Sequence, residues 1–250
     1  MPILTLLTDF GTADSYVAEV RGVLLTAVPG ATLVDVSHEV APGAVRTAAY
    51  LLGRSWRRFP AGTVHLVVVD PGVGTPRAAL AAECEGHRFV GPDNGALTPV
   101  LEAATVVELA PSAEASATFH GRDVFAPAAA ALANGAALST LGQPPASPPF
   151  RLPAPERRYD GKTLLGTVVH VDRFGNLITD LTPDLLSRTA TFHVEDSAAG
   201  PLRRTFADVP NGGLVAYLGS GGTVEVAVRG GSAARRLGVG LGGTVRAVLG

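Results

Sequence analysis

Four polar clusters, each carrying glycine, stand where an apolar run gives way to a turn. They are Thr8-Asp9-Phe10-Gly11, Asp70-Pro71-Gly72-Val73-Gly74-Thr75-Pro76-Arg77, Gly91-Pro92-Asp93-Asn94-Gly95 and Phe119-His120-Gly121-Arg122-Asp123. An aspartate in such a place is ordinarily a helix cap or a turn former. On that reading Asp9 caps the next helix, Asn94 folds its own turn, Arg77 is a surface residue after a proline turn, and His120 bonds Asp123. Recurrence shifts the weighting, because open α/β sheets bind ligands beyond the carboxyl ends of their strands. One chemistry that suits these residue types is a hydrolytic metal site with Asp9, Asp70, Asn94 and His120 as ligands. Dinuclear sites draw on several histidines, however, and His38, His65, His87, His170 and His193 show no ligand spacing. Those five read as structural or surface residues, and no metal is expected. A phosphate-cradling loop fits no better: Gly72-x-Gly74 lacks both a following Gly-Lys-Ser/Thr and the third glycine of a dinucleotide fingerprint.

Strands and helices must alternate to place these clusters. Ile3–Thr8 is a short apolar run ending at Asp9, as a buried strand would. Asp14 or Ser15 can cap a helix carrying Tyr16, Val20, Val23, Leu24 and Ala27 at helical spacing, stopped by Pro29 and Gly30. Residues 32–36 read as a second strand and 45–58 as a second helix, with Ala49, Leu52 and Trp56 on one face. Residues 63–70 are the most strand-like run; 87–90 and 105–109 are shorter strands, and Asp123 begins an alanine-rich helix ending near Asn134. The alternation predicts an α/β amino-terminal domain with a mostly parallel central sheet.

After Gly142 the texture changes. Residues 143–155 are proline-rich, a stiff extended connection. Beyond them the pattern is strand-only, at 164–171, 191–194, 214–218, 224–228 and 244–248, which predicts an all-β, barrel-like carboxy-terminal domain. The expected division is residues 1–142, a proline-rich linker over 143–160, and 161–250.

Composition narrows the function classes. The 250 residues are 46% apolar, and 20 basic side chains nearly cancel 22 acidic ones, for a formal charge of −2. That balance argues against a nucleic-acid partner or an anionic membrane surface, either of which needs a basic stripe. One cysteine, Cys84, leaves no disulfide framework or thiolate metal cage. No apolar run approaches the roughly 18 residues of a membrane span. The start, MPILTLLTDFG, has no basic stretch of the secretory kind, so a soluble, cytoplasmic protein is expected. The 30 glycines, 19 prolines and single lysine, Lys162, read mainly as genome bias, except where glycines fall within the polar clusters.

Several segments together carry a family resemblance. TDFGTADSYVAEVRG, VVVDPGVGTPR, VGPDNGALT and FHGRDVFAPAAA in the first part, with VVHVDRFGNLITD and YLGSGGTVEVAV in the second, resemble the S-adenosyl-L-methionine (SAM) hydroxide adenosyltransferases. These SAM hydrolases form adenosine and are related to the SAM-dependent fluorinase and chlorinase. The resemblance implies a catalytic α/β domain, a β-barrel-like SAM-binding domain, and a homotrimer holding SAM between the amino-terminal domain of one subunit and the carboxy-terminal domain of its neighbour. It implies an Asp-Arg-His catalytic set at Asp70, Arg77 and His120, which presents water or hydroxide to the ribose C5′. Asp9 matches the aspartate that takes the two ribose hydroxyls. Asp172 and Ser220 match positions holding the methionine amino and carboxylate ends. Phe174, Asn176 and Phe206 resemble those around the adenine, and Tyr217 and Glu225 are further binding candidates. No cofactor is implied, since SAM is the substrate. In the halogenases a tyrosine replaces the Asp70 equivalent, and the fluorinase carries a long insertion that the stretch between Arg77 and His87 leaves no room for.

The expected reaction is therefore hydrolysis of SAM to adenosine and L-methionine. A halogenase using chloride and a non-catalytic SAM- or adenosine-binding protein are the alternatives. The sulfonium leaves as a neutral thioether and needs no general acid, so the protein must supply an oriented, polarised oxygen in line with the C5′–S bond. Asp70 can orient water, Arg77 can hold hydroxide-like charge, and His120 can relay the proton or help bind the anion.

Overall fold

The computed structural model describes residues 1–110, 113–154 and 158–250. The chain forms two compact units, Met1–Leu152 and Pro153–Gly250. Among the described residues, no helix is long and apolar enough to cross a membrane.

Unit 1 holds β1 (Ile3–Thr8), α1 (Tyr16–Ala27), β2 (Thr32–Ser37), α2 (Val45–Ser55), β3 (Val64–Val68), β4 (Ala79–Cys84), β5 (His87–Pro92), β6 (Thr105–Leu109), α3 (Ala126–Ala133) and β7 (Gly142–Gln143). The strands form one sheet in the order β2-β1-β3-β5-β4-β6-β7. Alternation along the buried strands sends Leu4, Leu6, Leu66 and Val68 to the face packed with Val20 and Leu24 of α1 and the alanines of α3. Leu7, Val67 and Val69 go to the opposite face, with Ala48 and Leu52 of α2 and Trp56 just beyond it. Ser15 is the N-cap of α1. A 3-10 turn, Trp56–Arg58, finishes the second helix, with Trp56 fully buried.

The sheet is mixed rather than mostly parallel. β2, β1, β3 and β5 pair in parallel, whereas β4, β6 and β7 are antiparallel to their neighbours. The difference comes from β4, whose sequence ALAAEC has no β-branched residue to announce a strand. It inserts between β5 and β6 through a tight hairpin in which Glu85 and Gly86 both take positive φ, as a two-residue turn of this kind requires. The chain thus runs from Arg77 almost directly into β4, with no insertion. The proline-rich stretch lies along unit 1 through residue 152: the Phe150 amide donates to Asp93, Arg151 to the Leu101 carbonyl and the Leu152 amide to Thr98. The later residues 155–157 of the expected linker lie outside the described residues.

Unit 2 holds β8 (Arg158–Asp160), β9 (Thr163–Val171), β10 (Leu177–Thr179), β11 (Thr191–Val194), β12 (Ser197–Arg203), β13 (Leu214–Leu218), β14 (Val224–Val228), α4 (Ala233–Leu237) and β15 (Thr244–Val248). The order is β10-β14-β13-β12-β11-β15-β9-β8, and β10 also pairs with β9. That last pairing closes seven strands into a barrel and leaves β8 on the outside. Its core is built by Leu164, Val168, Leu177, Phe192, Val224, Val226 and Val245. The strand-only expectation misses α4, a short helix capped by Ser232, whose hydroxyl accepts from the Arg235 amide.

Candidate active site and ligand cavity

Adjacent parallel strands deliver two of the polar clusters to one edge of unit 1. Thr8 of β1 lies opposite Val68 of β3, so Asp9 and Asp70 leave the carboxyl edge of the sheet side by side. The Asp9 loop is held from several directions. Thr8 bonds His38 at 2.8 Å, the Gly11 amide donates to the His38 carbonyl, and Asp9 Oδ2 accepts from the Gly43 amide at 2.8 Å. Gly43 takes φ +72° and packs on Pro71, which ties the Asp9 loop to the Asp70 loop. Asp9 is thus no cap for α1, and its remaining acceptor capacity is open to a ligand.

Asp70, Arg77 and His120 form one interlocked group. Arg77 grips Asp70 with a two-pronged fork, Nε to Oδ1 at 3.0 Å and Nη2 to Oδ2. The same Nη2 meets His120 Nδ1 at 2.8 Å. Side-chain exposure is 10% for Arg77 and 5% for Asp70, so Arg77 is not the surface residue that a post-proline position allows. Its guanidinium also sits 5.2 Å from the ring centroid of the fully buried Phe125. His120 does not bond Asp123, whose carboxylate is taken by Arg122 and the Ser116 amide. Burial, then the Arg77 charge, lowers the His120 pKa below its ordinary 6.5. A guanidinium can only donate, so Nδ1 accepts and the proton of the neutral ring resides on Nε2.

His120 owes its place to a π-helical turn, Gly121–Phe125, that leads into α3. Such turns recur at functional sites because they displace one residue from the regular helix. Phe119 meets Phe10 and Tyr16 edge-on beside it, and the three rings cluster with centroids 5.3–6.1 Å apart. A side chain at Gly121 would run into Phe10. Asn94 is a turn former: its amide donates to the Val69 carbonyl and its oxygen accepts from the Ala96 amide. With Asp70 facing a guanidinium and Asn94 engaged by backbone, the metal-ligand arrangement of Asp9, Asp70, Asn94 and His120 is not assembled. Among the described residues no three His, Cys, Asp or Glu side chains gather to hold an ion.

All seven candidates from the second part of the chain line a single cavity of about 840 Å³ in unit 2: Asp172, Phe174, Asn176, Phe206, Tyr217, Ser220 and Glu225. The 172–176 loop forms one side. Asp172 Oδ1 accepts from the Phe174 amide at 2.9 Å and the Asn176 amide at 2.8 Å, while Oδ2 accepts from Asn176 Nδ2 at 2.8 Å. Gly175, at φ +83°, is pressed against Ser232 where no side chain fits, and its carbonyl accepts from the Ala234 amide. Phe206 and Tyr217 pack with their rings tilted, 4.7 Å between centroids, as an aromatic wall, and Tyr217 donates to Glu225 Oε2 at 2.6 Å. Phe174 is 76% exposed, an apolar ring standing in the open at the cavity. Sequence reasoning missed two charged residues here, Arg173 and Arg235. Arg173 adjoins a recognised motif, whereas Arg235 rides on the unforeseen α4. His38 was read as structural or surface and proves structural, whereas the supports Gly43 and Phe125 were missed, since nothing in a sequence marks a backbone amide aimed at a carboxylate.

Comparison with known proteins covers both units. The family model for the SAM hydroxide adenosyltransferase N-terminal domain matches residues 4–142, and that for the C-terminal domain matches residues 166–246. A relative from Salinispora arenicola strain CNS-205, named (R)-S-adenosyl-L-methionine hydrolase, is 44% identical over 264 residues, covering 100% of this chain and 98% of its own. The crystal structure of an uncharacterized conserved protein from Thermotoga maritima superposes with a TM-score of 0.89 at 34% identity, covering 98% of this chain and 99% of that one. A fluorinase from Actinoplanes sp. strain N902-109 is more distant, at 29% identity over 90% of each chain.

Proposed function

The chain belongs to the SAM hydroxide adenosyltransferase family, and we propose on that premise that it hydrolyses S-adenosyl-L-methionine to adenosine and L-methionine. Water or hydroxide forms a bond to the ribose C5′ as the C5′–S bond breaks. The electron pair stays on sulfur, and one proton from water passes to solvent. The observation that carries this reading is the interlocked Asp70–Arg77–His120 group at the strand ends of unit 1. Beyond the fork it offers donors: the remaining guanidinium hydrogens and His120 Nε2–H. Donors suit an anionic oxygen. Asp70 serves chiefly to fix the Arg77 fork, and His120, with Nδ1 engaged and Nε2 protonated, polarises rather than deprotonates. Meeting an anion with a sulfonium destroys charge, so a water-poor setting favours the step. A neutral thioether needs no Lewis acid to leave, and no cofactor enters the scheme.

In this reading Asp9 takes the ribose hydroxyls, and the unit 2 cavity holds the adenine and the methionine moiety. The protein acts as a cytoplasmic homotrimer, with SAM between unit 1 of one subunit and unit 2 of the next. What supports that arrangement is the segregation of parts, the reactive group in unit 1 and the ligand cavity in unit 2. Halide chemistry is disfavoured by the Asp70 carboxylate and by the short path from Arg77 into β4. The test is incubation with SAM in ¹⁸O-water, with and without chloride. The expected products are methionine and adenosine labelled at the 5′ oxygen, in equal yield under both conditions. Formation of 5′-chloro-5′-deoxyadenosine would move the protein to the halogenases, and tight binding without turnover would make it a sensor.

A further inference from the structure

The Asp70–Arg77–His120 group is backed by a second set of charges that the hydrolysis scheme leaves unused. Arg122, in the π-helical turn that follows His120, forks onto the Asp123 carboxylate, Nε to Oδ1 at 2.7 Å and Nη2 to Oδ2 at 2.9 Å. Its third nitrogen, Nη1, donates to Glu19 Oε2 on α1 at 2.8 Å, and Glu19 in turn accepts the Ser15 hydroxyl. The guanidinium also lies 5.0 Å from the ring centroid of Phe119, the residue before His120. One side chain therefore ties the turn to α1 and to the ring beside the histidine. Asp123 Oδ2 takes a further hydrogen bond from the Ser116 amide. Side-chain exposure is 35% for Arg122 and 37% for Glu19, so that pair adds little to stability by itself.

Three charged groups act on His120: Arg77 and Asp70 from the loop between β3 and β4, and Asp123 from its own turn. Arg77 disfavours a protonated imidazole, whereas both carboxylates favour one. Asp70 is held in the Arg77 fork and Asp123 in the Arg122 fork. Glu19, the acid that α1 brings to this group, is bonded to Arg122. The contact between His120 Nδ1 and Arg77 needs a neutral ring, because a guanidinium only donates. An Asp123 carboxylate released from its fork would draw His120 toward the protonated form and offer it a competing acceptor. We propose that Arg122 is a positioning residue for the hydrolysis: by occupying Asp123 it keeps that carboxylate off His120, and so keeps the imidazole neutral and bonded to Arg77. This role rests on the hydrolase reading above.

Two readouts test it. One is NMR titration of the imidazole protons, with the His120 signal assigned by its absence from His120→Gln; the other is the pH dependence of kcat for SAM. Arg122→Gln should raise the His120 pKa by about one pH unit, the low end of what a nearby opposite charge does. The acid limb of kcat should move up with it, since only the neutral ring accepts from Arg77, while KM changes only a few-fold. Arg122→Gln/Asp123→Asn removes the carboxylate as well and should return both readouts to wild type, although every bond of the fork is lost. A merely structural Arg122 would give no such rescue. Arg122→Lys keeps the charge without the fork and should show a smaller rise, again abolished by Asp123→Asn, so the comparison stands even if the glutamine variant does not fold. An unmoved His120 pKa in Arg122→Gln, or a rise that survives in the double variant, would overturn the proposal. Failure of wild type to turn over SAM would instead overturn the hydrolase reading, and the NMR titration would still decide whether Arg122 governs the charge on His120.

Discussion

At the scale of single residues, the site turns on geometry that a charge count does not convey. Arg77 contacts Asp70 through two nitrogens and His120 through one of the same two. A lysine offers one point charge and cannot hold both partners in that plane. Arg77→Lys should therefore lower kcat about 100-fold, the scale of losing one preorganised donor, while KM for SAM moves only a few-fold. Steady-state kinetics decides it: a large KM increase at constant kcat would make Arg77 a binding residue. Asp70, Arg77 and His120 were legible in the sequence as motif positions, but their interlock was not, because 43 residues separate Arg77 from His120. Asp172 shows the converse. Its position was legible, but not that its carboxylate also accepts from the amides two and four residues on, which only the folded turn discloses.

At the scale of elements, strands with β-branched and aliphatic runs announce themselves, and those without do not. The run ILTLLT ends where expected, and VHLVV stops at Val68, two residues short of the expected end. The alanine-rich β4 passes unnoticed and changes the sheet from parallel to mixed, since small residues flanked by strands on both sides need no intrinsic preference. β3 and β5 also bury a histidine pair. His65, 1% exposed, bonds Thr5 at 2.8 Å and His87 at 3.2 Å and stacks on Phe89 at 4.9 Å. Burial, reinforced by the His87 charge, pushes the His65 pKa down from 6.5 to about 3. Between those values the unfolded chain binds a proton that the folded one refuses. The neutral pair's contribution is thus complete above the ordinary imidazole range and is lost as pH falls toward 3, at up to about 1.4 kcal/mol per pH unit. Urea titrations at pH 7.5, 6 and 5 should show that decline in wild type and a shallower one in His65→Phe; equal slopes would remove His65 from the account.

At the scale of the whole molecule, the reactive group and the ligand cavity reside on different compact units. The barrel itself was only half legible: five of its strands read plainly, but the closing strand β10 has three residues and β12 carries glycine and proline. What remains is which two units share a substrate, and subunit mixing answers it. In a cyclic trimer every contact is head-to-tail, so a site made across it takes unit 1 from one chain and unit 2 from the next. Asp70→Ala disables unit 1. Gly219→Leu disables unit 2, because its side chain would evict the Glu225 carboxylate into the cavity. Each variant alone should be nearly inactive. When the two are co-expressed with different tags and purified through both, every recovered trimer is mixed, and about one site in three then has both halves intact. Turnover should recover to roughly one third of the wild-type rate by that same counting. A site confined to one chain predicts no recovery, because every chain then carries a defective half, and the rate of the mixture separates the two arrangements.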